Sequence, residues 1–164
     1  MKVLSRVLCS ITFLGFFLPF SVHPQVISSE LKTKVAQSDM IITGKVIEQK
    51  SVWNSDKSGI YTFVTIRVDD LLKGAEYQSE IIVKHPGGEV GNIGEVYSHI
   101  PTFRNDEEVL VFLKKSSLDG SMRVFGGDEG KYSFFEDKLT KEKLTSGNIR
   151  KSELQKEIRR FVKQ

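Results

Sequence analysis

Apolar residues two positions apart dominate the middle of the chain. Between Ile60 and Val68, residues Ile60, Thr62, Val64, Ile66 and Val68 fall on one face of an extended segment. Tyr61, Phe63, Thr65 and Arg67 fall on the other, which is the period of a strand with one face in a core. Met40–Glu48 (MIITGKVIE) is rich in β-branched residues, and Gly44 inside it predicts a bend or bulge. Ile81–Lys84 reads as a short strand, and Glu108–Lys114 (EVLVFLK) is apolar on both faces, as a central strand would be. Asp119-Gly120 predicts a two-residue hairpin into Met122–Phe125, and Lys131–Phe135 reads as the last strand. Three connections stand out: a turn cluster at Trp53–Gly59, the DDLLKG end of the second strand closed by Gly74, and a long glycine-rich stretch from His85 to Pro101.

The period changes at both ends. Ser29–Ser38 carries Leu31 and Val35 at helical spacing, which predicts a short helix before the first strand. In residues 150–163, Leu154, Ile158 and Phe161 repeat at i, i+4 and i+7, and Ser152 with Gln155 predicts a capping box. The remaining surface of this amphipathic helix is basic. With three apolar positions and two glutamates, Glu153 and Glu157, it is expected to dock on the body of the protein. Several short strands with a helix at each end predict a mainly β fold, a small antiparallel barrel.

Residues 1–28 read as a signal peptide and 29–164 as one domain. Lys2 and Arg6 precede an apolar run of 14 residues, Val7–Phe20, followed by a polar, proline-containing stretch. That order marks a secretory signal, and the run falls short of the roughly 20 residues a spanning helix needs. No stable membrane span is expected after its removal, and the domain is expected to be periplasmic or secreted. The single cysteine, Cys9, lies in the leader, so the domain beyond it has no disulfide, thiolate nucleophile or cysteine metal site. Of 24 Lys and Arg, two lie in the leader, leaving 22 against 21 Asp and Glu. A nearly neutral domain gives no electrostatic reason to expect nucleic acid.

The segments SDMIITGKVIE, IYTFVTIRVDDLLKG, PGGEVGNIGE, PTFRNDEEVLVFLK and GGDEGKYSF, with the EIRRFVK tail, together resemble a group of exported bacterial proteins. Their strand order is similar to that of netrin-like and tissue-inhibitor-of-metalloproteinase domains, which implies an oligonucleotide/oligosaccharide-binding (OB) type barrel. Asp106 departs from the pattern, standing where a glycine is expected, although Asn105-Asp106 can still turn there. The resemblance brings no activity with it. Inhibitors of that type coordinate the protease zinc through an N-terminal cysteine, and none remains here.

Candidate chemistry is sparse. GGDE at Gly126–Glu129 matches the signature of diguanylate cyclases, but it joins two short strands and reads as a turn. Gly88, Gly91 and Gly94 follow a strand as G-x-x-G-x-x-G, yet no helix opens after them, as a phosphate-cradling loop requires. Asn54, Asp56, Ser58 and Gly59 space like the start of a calcium loop, but Thr65 stands where the bidentate glutamate belongs. His85 and His99 flank the glycine-rich stretch without further ligand spacing, so no metal is expected. No G-x-S-x-G or H-E-x-x-H occurs, and Asp69 and Asp70, adjacent on a strand, point to opposite faces. No catalytic residue and no cofactor is expected.

The reading that follows is an exported, non-enzymatic interaction module for a protein partner. An envelope small-molecule or glycan-binding domain, and a loop-inserting inhibitor of an extracellular protease, are the alternatives. The candidate binding residues are Trp53, His85, Gly88, Gly91, Gly94, Tyr97 and His99, with Trp53 also suited to closing one end of the core.

Overall fold

A computed structural model describes residues 25–164, with side chains from Ser29 onward. The expected signal peptide, apart from its last four residues, lies outside the described residues.

Helix α1 (Gln25–Gln37) leads into two long strands, β1 (Met40–Trp53) and β2 (Ile60–Lys73), followed by β3 (Glu80–Pro86). A small hairpin, β4 (Gly88–Val90) and β5 (Ile93–Glu95), precedes β6 (Glu108–Lys115), β7 (Met122–Val124), β8 (Lys131–Glu136), β9 (Lys143–Leu144) and helix α2 (Lys151–Val162). The main sheet runs β1-β2-β3-β7-β6-β8-β9, and β1 also pairs with β6. The five strands β1, β2, β3, β7 and β6 therefore close on themselves. The pairings are antiparallel except for one parallel bridge, Val83 to Met122, between β3 and β7. This is the expected OB-type barrel, with α1 and α2 as the flanking helices.

Two apolar cores explain the strand patterns. The barrel interior holds alternate residues such as Val64, Ile66 and Val68 of β2 with Val109, Val111 and Leu113 of β6. A second core lies between the outside of the barrel and the helices, where Ile41, Leu110, Phe112 and Phe134 meet Leu31, Val35, Leu154 and Ile158. Strand β6 is apolar on both faces because one faces the interior and the other faces the helices; all five residues from Val109 to Leu113 are buried. Each such side chain contributes about 1.5–3 kcal/mol.

Gly44 sits where the β1–β2 register slips, between Thr43 and Gly44. A Cβ there would come within 2.3 Å of the Arg67 carbonyl oxygen, so only glycine lets β1 fold across β2 at this point. Asp106 has φ +65°, the left-handed conformation that the expected glycine would take up, and its carboxylate meets Lys45 Nζ at 2.7 Å.

Four local expectations are corrected. The β6–β7 connection is a six-residue loop, residues 116–121, closed by Ser116 N–H donating to the Ser121 carbonyl, rather than a two-residue turn at Asp119-Gly120. Asp119 instead folds the loop from inside by accepting from Ser121 N–H and Oγ. Strand β9 follows β8, so Lys131–Phe135 is not the last strand. The capping box does not form, because α2 starts at Lys151 with Arg150 at the N-cap and no side-chain cap. Gln155 reaches across to Asp70 on β2 instead. The glycine-rich stretch from His85 to Pro101 is not all loop, since it carries the end of β3 and the β4–β5 hairpin.

Candidate functional site

Strand β1 pairs with β6 only from Met40 to Lys45 but with β2 as far as Trp53. The β1–β2 hairpin thus overhangs the closed ring. The β4–β5 hairpin and residues 96–103 fold against this overhang and leave a cleft of about 350 Å³.

The floor of the cleft is a row of polar side chains at matching register, Ser51 on β1, Thr62 on β2 and His85 on β3. Thr62 is buried in an otherwise apolar stripe, and its hydroxyl donates to the Gly87 carbonyl at 2.7 Å. Ser51 Oγ lies 2.8 Å from Thr62 Oγ1; with the Thr62 proton committed to Gly87, Ser51 is the donor of that bond. Gly88 rests directly on this pair. A Cβ at Gly88 would lie 2.2 Å from Thr62 Oγ1 and 2.4 Å from Ser51 Oγ, at φ +127°. The glycine is needed for the hairpin to lie against the polar row.

His85 Nδ1 is 2.9 Å from the Pro86 carbonyl, so Nδ1 carries the proton and Nε2 keeps its lone pair. The ring stacks on Phe103 with centroids 6.0 Å apart. Burial pushes the imidazole below its ordinary range, against the raising effect of the Pro86 bond, and favours the neutral ring. The opposite wall is held by Glu95. Its Oε2 accepts from Ile60 N–H at 2.9 Å and from the Tyr97 hydroxyl at 3.1 Å. The hydrogen bond to Glu95, with the glutamate's charge, raises the Tyr97 phenol.

The segment behind the cleft is fastened to β8. Lys131 Nζ contacts both oxygens of Glu107, at 2.8 and 2.9 Å, and donates to the Thr102 carbonyl. Burial pushes Glu107 up, but the bonds from Lys131 and Ser133 override it and hold the carboxyl below its ordinary range.

The structure brings His85, Gly88, Gly94 and Tyr97 together around this cleft. His99 does not line it. It is exposed at φ +60°, and its carbonyl accepts from Asp128 N–H at 3.1 Å. That contact explains the GGDE segment, which forms a 3-10 turn at Gly127–Gly130. A Cβ on Gly127 would meet the His99 carbonyl oxygen at 2.2 Å. Gly91 tops the β4–β5 turn at φ +63°. In the Asn54–Gly59 turn the polar atoms serve one another, Asp56 Oδ1 accepting from Ser58 N–H and Oγ and Asn54 Oδ1 from Gly59 N–H. Among the described residues no group of three His, Cys, Asp or Glu side chains could hold a metal ion.

Trp53 lies elsewhere, half-buried at the end of β1 and outside both cores. It lines a groove on the outer face of β2 and β3 with Tyr61, Phe63, Lys84 and Leu118. Lys84 Nζ is 4.5 Å from the Tyr61 ring centroid and 2.7 Å from Asp119, which also meets Arg123 at 3.3 Å. Leu118 is 89% exposed at the rim. The alternation along β2 already places Tyr61 and Phe63 outward. Their meeting with Leu118 depends on the β3–β7 closure, which no local pattern marks.

No family model matches this chain, and no curated protein matches it significantly. Among the described residues no helix is long and apolar enough to cross a membrane.

Proposed function

We propose that the domain is an exported, non-enzymatic interaction module that engages a protein partner through the outer face of β2 and β3. The observation that carries this reading is the groove itself, where Trp53, Tyr61 and Phe63 sit half-buried on a sheet face beside an almost fully exposed Leu118. Trp and Tyr at the centre of a polar-rimmed patch are the residue types that anchor protein interfaces. An exposed aliphatic beside the rings suits an apolar partner surface better than a sugar. Lys84, Asp119 and Arg123 supply the charged rim. In OB-type barrels the face of the second and third strands, with the loops after the first and fourth, is the usual side for oligonucleotides and oligosaccharides. This is a fold-level analogy that favours the same face.

Export rests on the leader-like order of residues 1–28. The non-enzymatic reading rests on what the polar side chains do. Asp70 binds Arg159 and Gln155, Glu108 binds Lys143 and Lys151, and Glu107 binds Lys131, all holding elements together.

Site-specific photo-crosslinking tests the interface. A photoreactive residue at position 118 should give a discrete protein adduct from an envelope fraction, and one at Leu139, equally exposed on the β8–β9 turn, should not. The adduct should disappear in a Trp53→Ala/Tyr61→Ala variant that unfolds like the parent. Equal labelling from both positions, or crosslinks only to glycan, would overturn the reading.

A further inference from the structure

The overhang cleft is separate from the outer groove and carries its own chemistry. Its lining includes Glu89 and Glu95 and the His85 imidazole, but neither lysine nor arginine. Tyr97, Phe103, Ile100 and Pro101 make the apolar part of the wall. Lys131 lies 4.8 Å over the Phe103 ring, yet both oxygens of Glu107 hold it and it does not line the cleft.

We propose that this cleft recognises a primary ammonium group carried on a short apolar stem. Three features of the lining support this. Both hydrogen bonds to Glu95 end on Oε2, so Oε1 is free to accept among the described residues. With Nδ1 committed to the Pro86 carbonyl, His85 presents Nε2 as a second acceptor. The half-exposed Tyr97 ring offers a face that attracts a cation and flanks an alkyl stem.

The other ligand classes fit worse. An anion would meet two carboxylates with no cation to receive it. An uncharged apolar ligand would strip water from Glu95 and return nothing. An ammonium brings three donors to a site rich in acceptors. A volume of about 350 Å³ is at the small end for ligand sites and suits one side-chain-sized group rather than a polymer. The floor is also built to keep its shape, because Thr62 and Ser51 satisfy each other and Gly87 and do not compete for the ligand.

Such an ammonium could be a free alkylamine or the side chain of a lysine in a peptide. Titration of the protein with n-butylammonium, followed by amide and imidazole NMR shifts, tests the shared chemistry. Saturable shifts confined to Gly88, Gly94, Tyr97 and the His85 ring are expected, with a dissociation constant on the order of 1 mM. Butanol and butyrate should cause none of them. Glu95→Gln keeps an acceptor for Ile60 N–H and Tyr97 while deleting the charge, and should weaken binding about tenfold. Nα-acetyl-lysine methylamide should reproduce the shifts if peptide lysines are the source, its Nζ-acetylated form should not, and response to butylammonium alone would assign a free amine. Equal binding of butanol, shifts scattered over surface carboxylates, or undiminished binding by the folded Glu95→Gln variant would overturn the proposal.

Discussion

Single atoms decide several features of this barrel. Gly44 is the sharpest case, because an alanine methyl would press on the Arg67 carbonyl oxygen at 2.3 Å and on Ile66 Cγ2 at 2.8 Å. Gly44→Ala should cost about 3 kcal/mol in urea denaturation, since backbone cannot move aside as a flexible side chain would. The Lys131–Glu107 pair is nearly buried, its side chains 9% and 14% exposed. Lys131→Met should also cost about 3 kcal/mol by leaving a desolvated carboxylate without its partner. Two groups give stability a pH dependence in different windows. Burial depresses His85, so the unfolded chain binds that proton first, and stability should fall as pH drops from about 6.5 toward the folded value. Glu107, despite its burial, is depressed by Lys131 and Ser133; its contribution is whole above its ordinary range near 4.5 and is lost as pH falls through the folded value. Denaturation midpoints measured across pH should show both steps, with His85→Gln removing the upper one. At this scale the sequence was partly legible. A glycine in a β-branched run flagged the bulge, and Asn105-Asp106 flagged the turn, because each signal lies within a few neighbouring residues.

Among elements, α2 shows how far a periodic pattern carries. Leu154, Ile158 and Phe161 were readable as one face, and that face packs on the barrel. The capping box predicted from Ser152 and Gln155 does not form, because Arg150 binds Glu142 and Glu153 at the helix start while Gln155 is drawn to Asp70. Such competition is tertiary, and local spacing is blind to it. Arg159 meets both oxygens of Asp70 at 2.8 and 2.6 Å, but it is half-exposed. Arg159→Ala should therefore cost no more than about 1 kcal/mol. Ile158→Ala should cost about 3 kcal/mol by opening a cavity over Phe112 and Phe134. Thermal or urea unfolding of the two variants should separate the contributions of packing and charge. At the other end, Lys73 Nζ donates to the carbonyls of Val35, Ala36 and Ser38, so a strand residue terminates α1. The full length of β1 and β2 was not legible, since Glu48, Gln49, Lys50 and Ser51 are polar on both faces. They remain extended because the β2 ladder holds them, not because they are buried.

Over the whole molecule, the barrel follows from composition and alternation, whereas the cleft does not. Ser51, Thr62 and His85 come from three strands and are joined only by register. The glycine-rich stretch marked its wall through His85, Gly88, Gly94 and Tyr97, but for the floor the hint was Thr62 inside an apolar stripe, and its partner, the Gly87 carbonyl, is not a side-chain signal at all. Removing residues 151–164 should leave the barrel ring intact but uncover Leu110, Phe112 and Phe134. That truncated chain should bind a hydrophobic dye that the full domain excludes.

The ring's closure also sets an order of events during synthesis. Strands β1, β2 and β3 can pair as soon as they emerge, yet β1 must wait for β6 and β3 must wait for β7. Until about residue 124 has been made, the nascent sheet carries two raw edges and a half-covered greasy face. Contacts so distant along the chain fold slowly, in milliseconds to seconds rather than microseconds. The interval before closure is when this polypeptide is most exposed to clumping, and when a holding chaperone would grip it best.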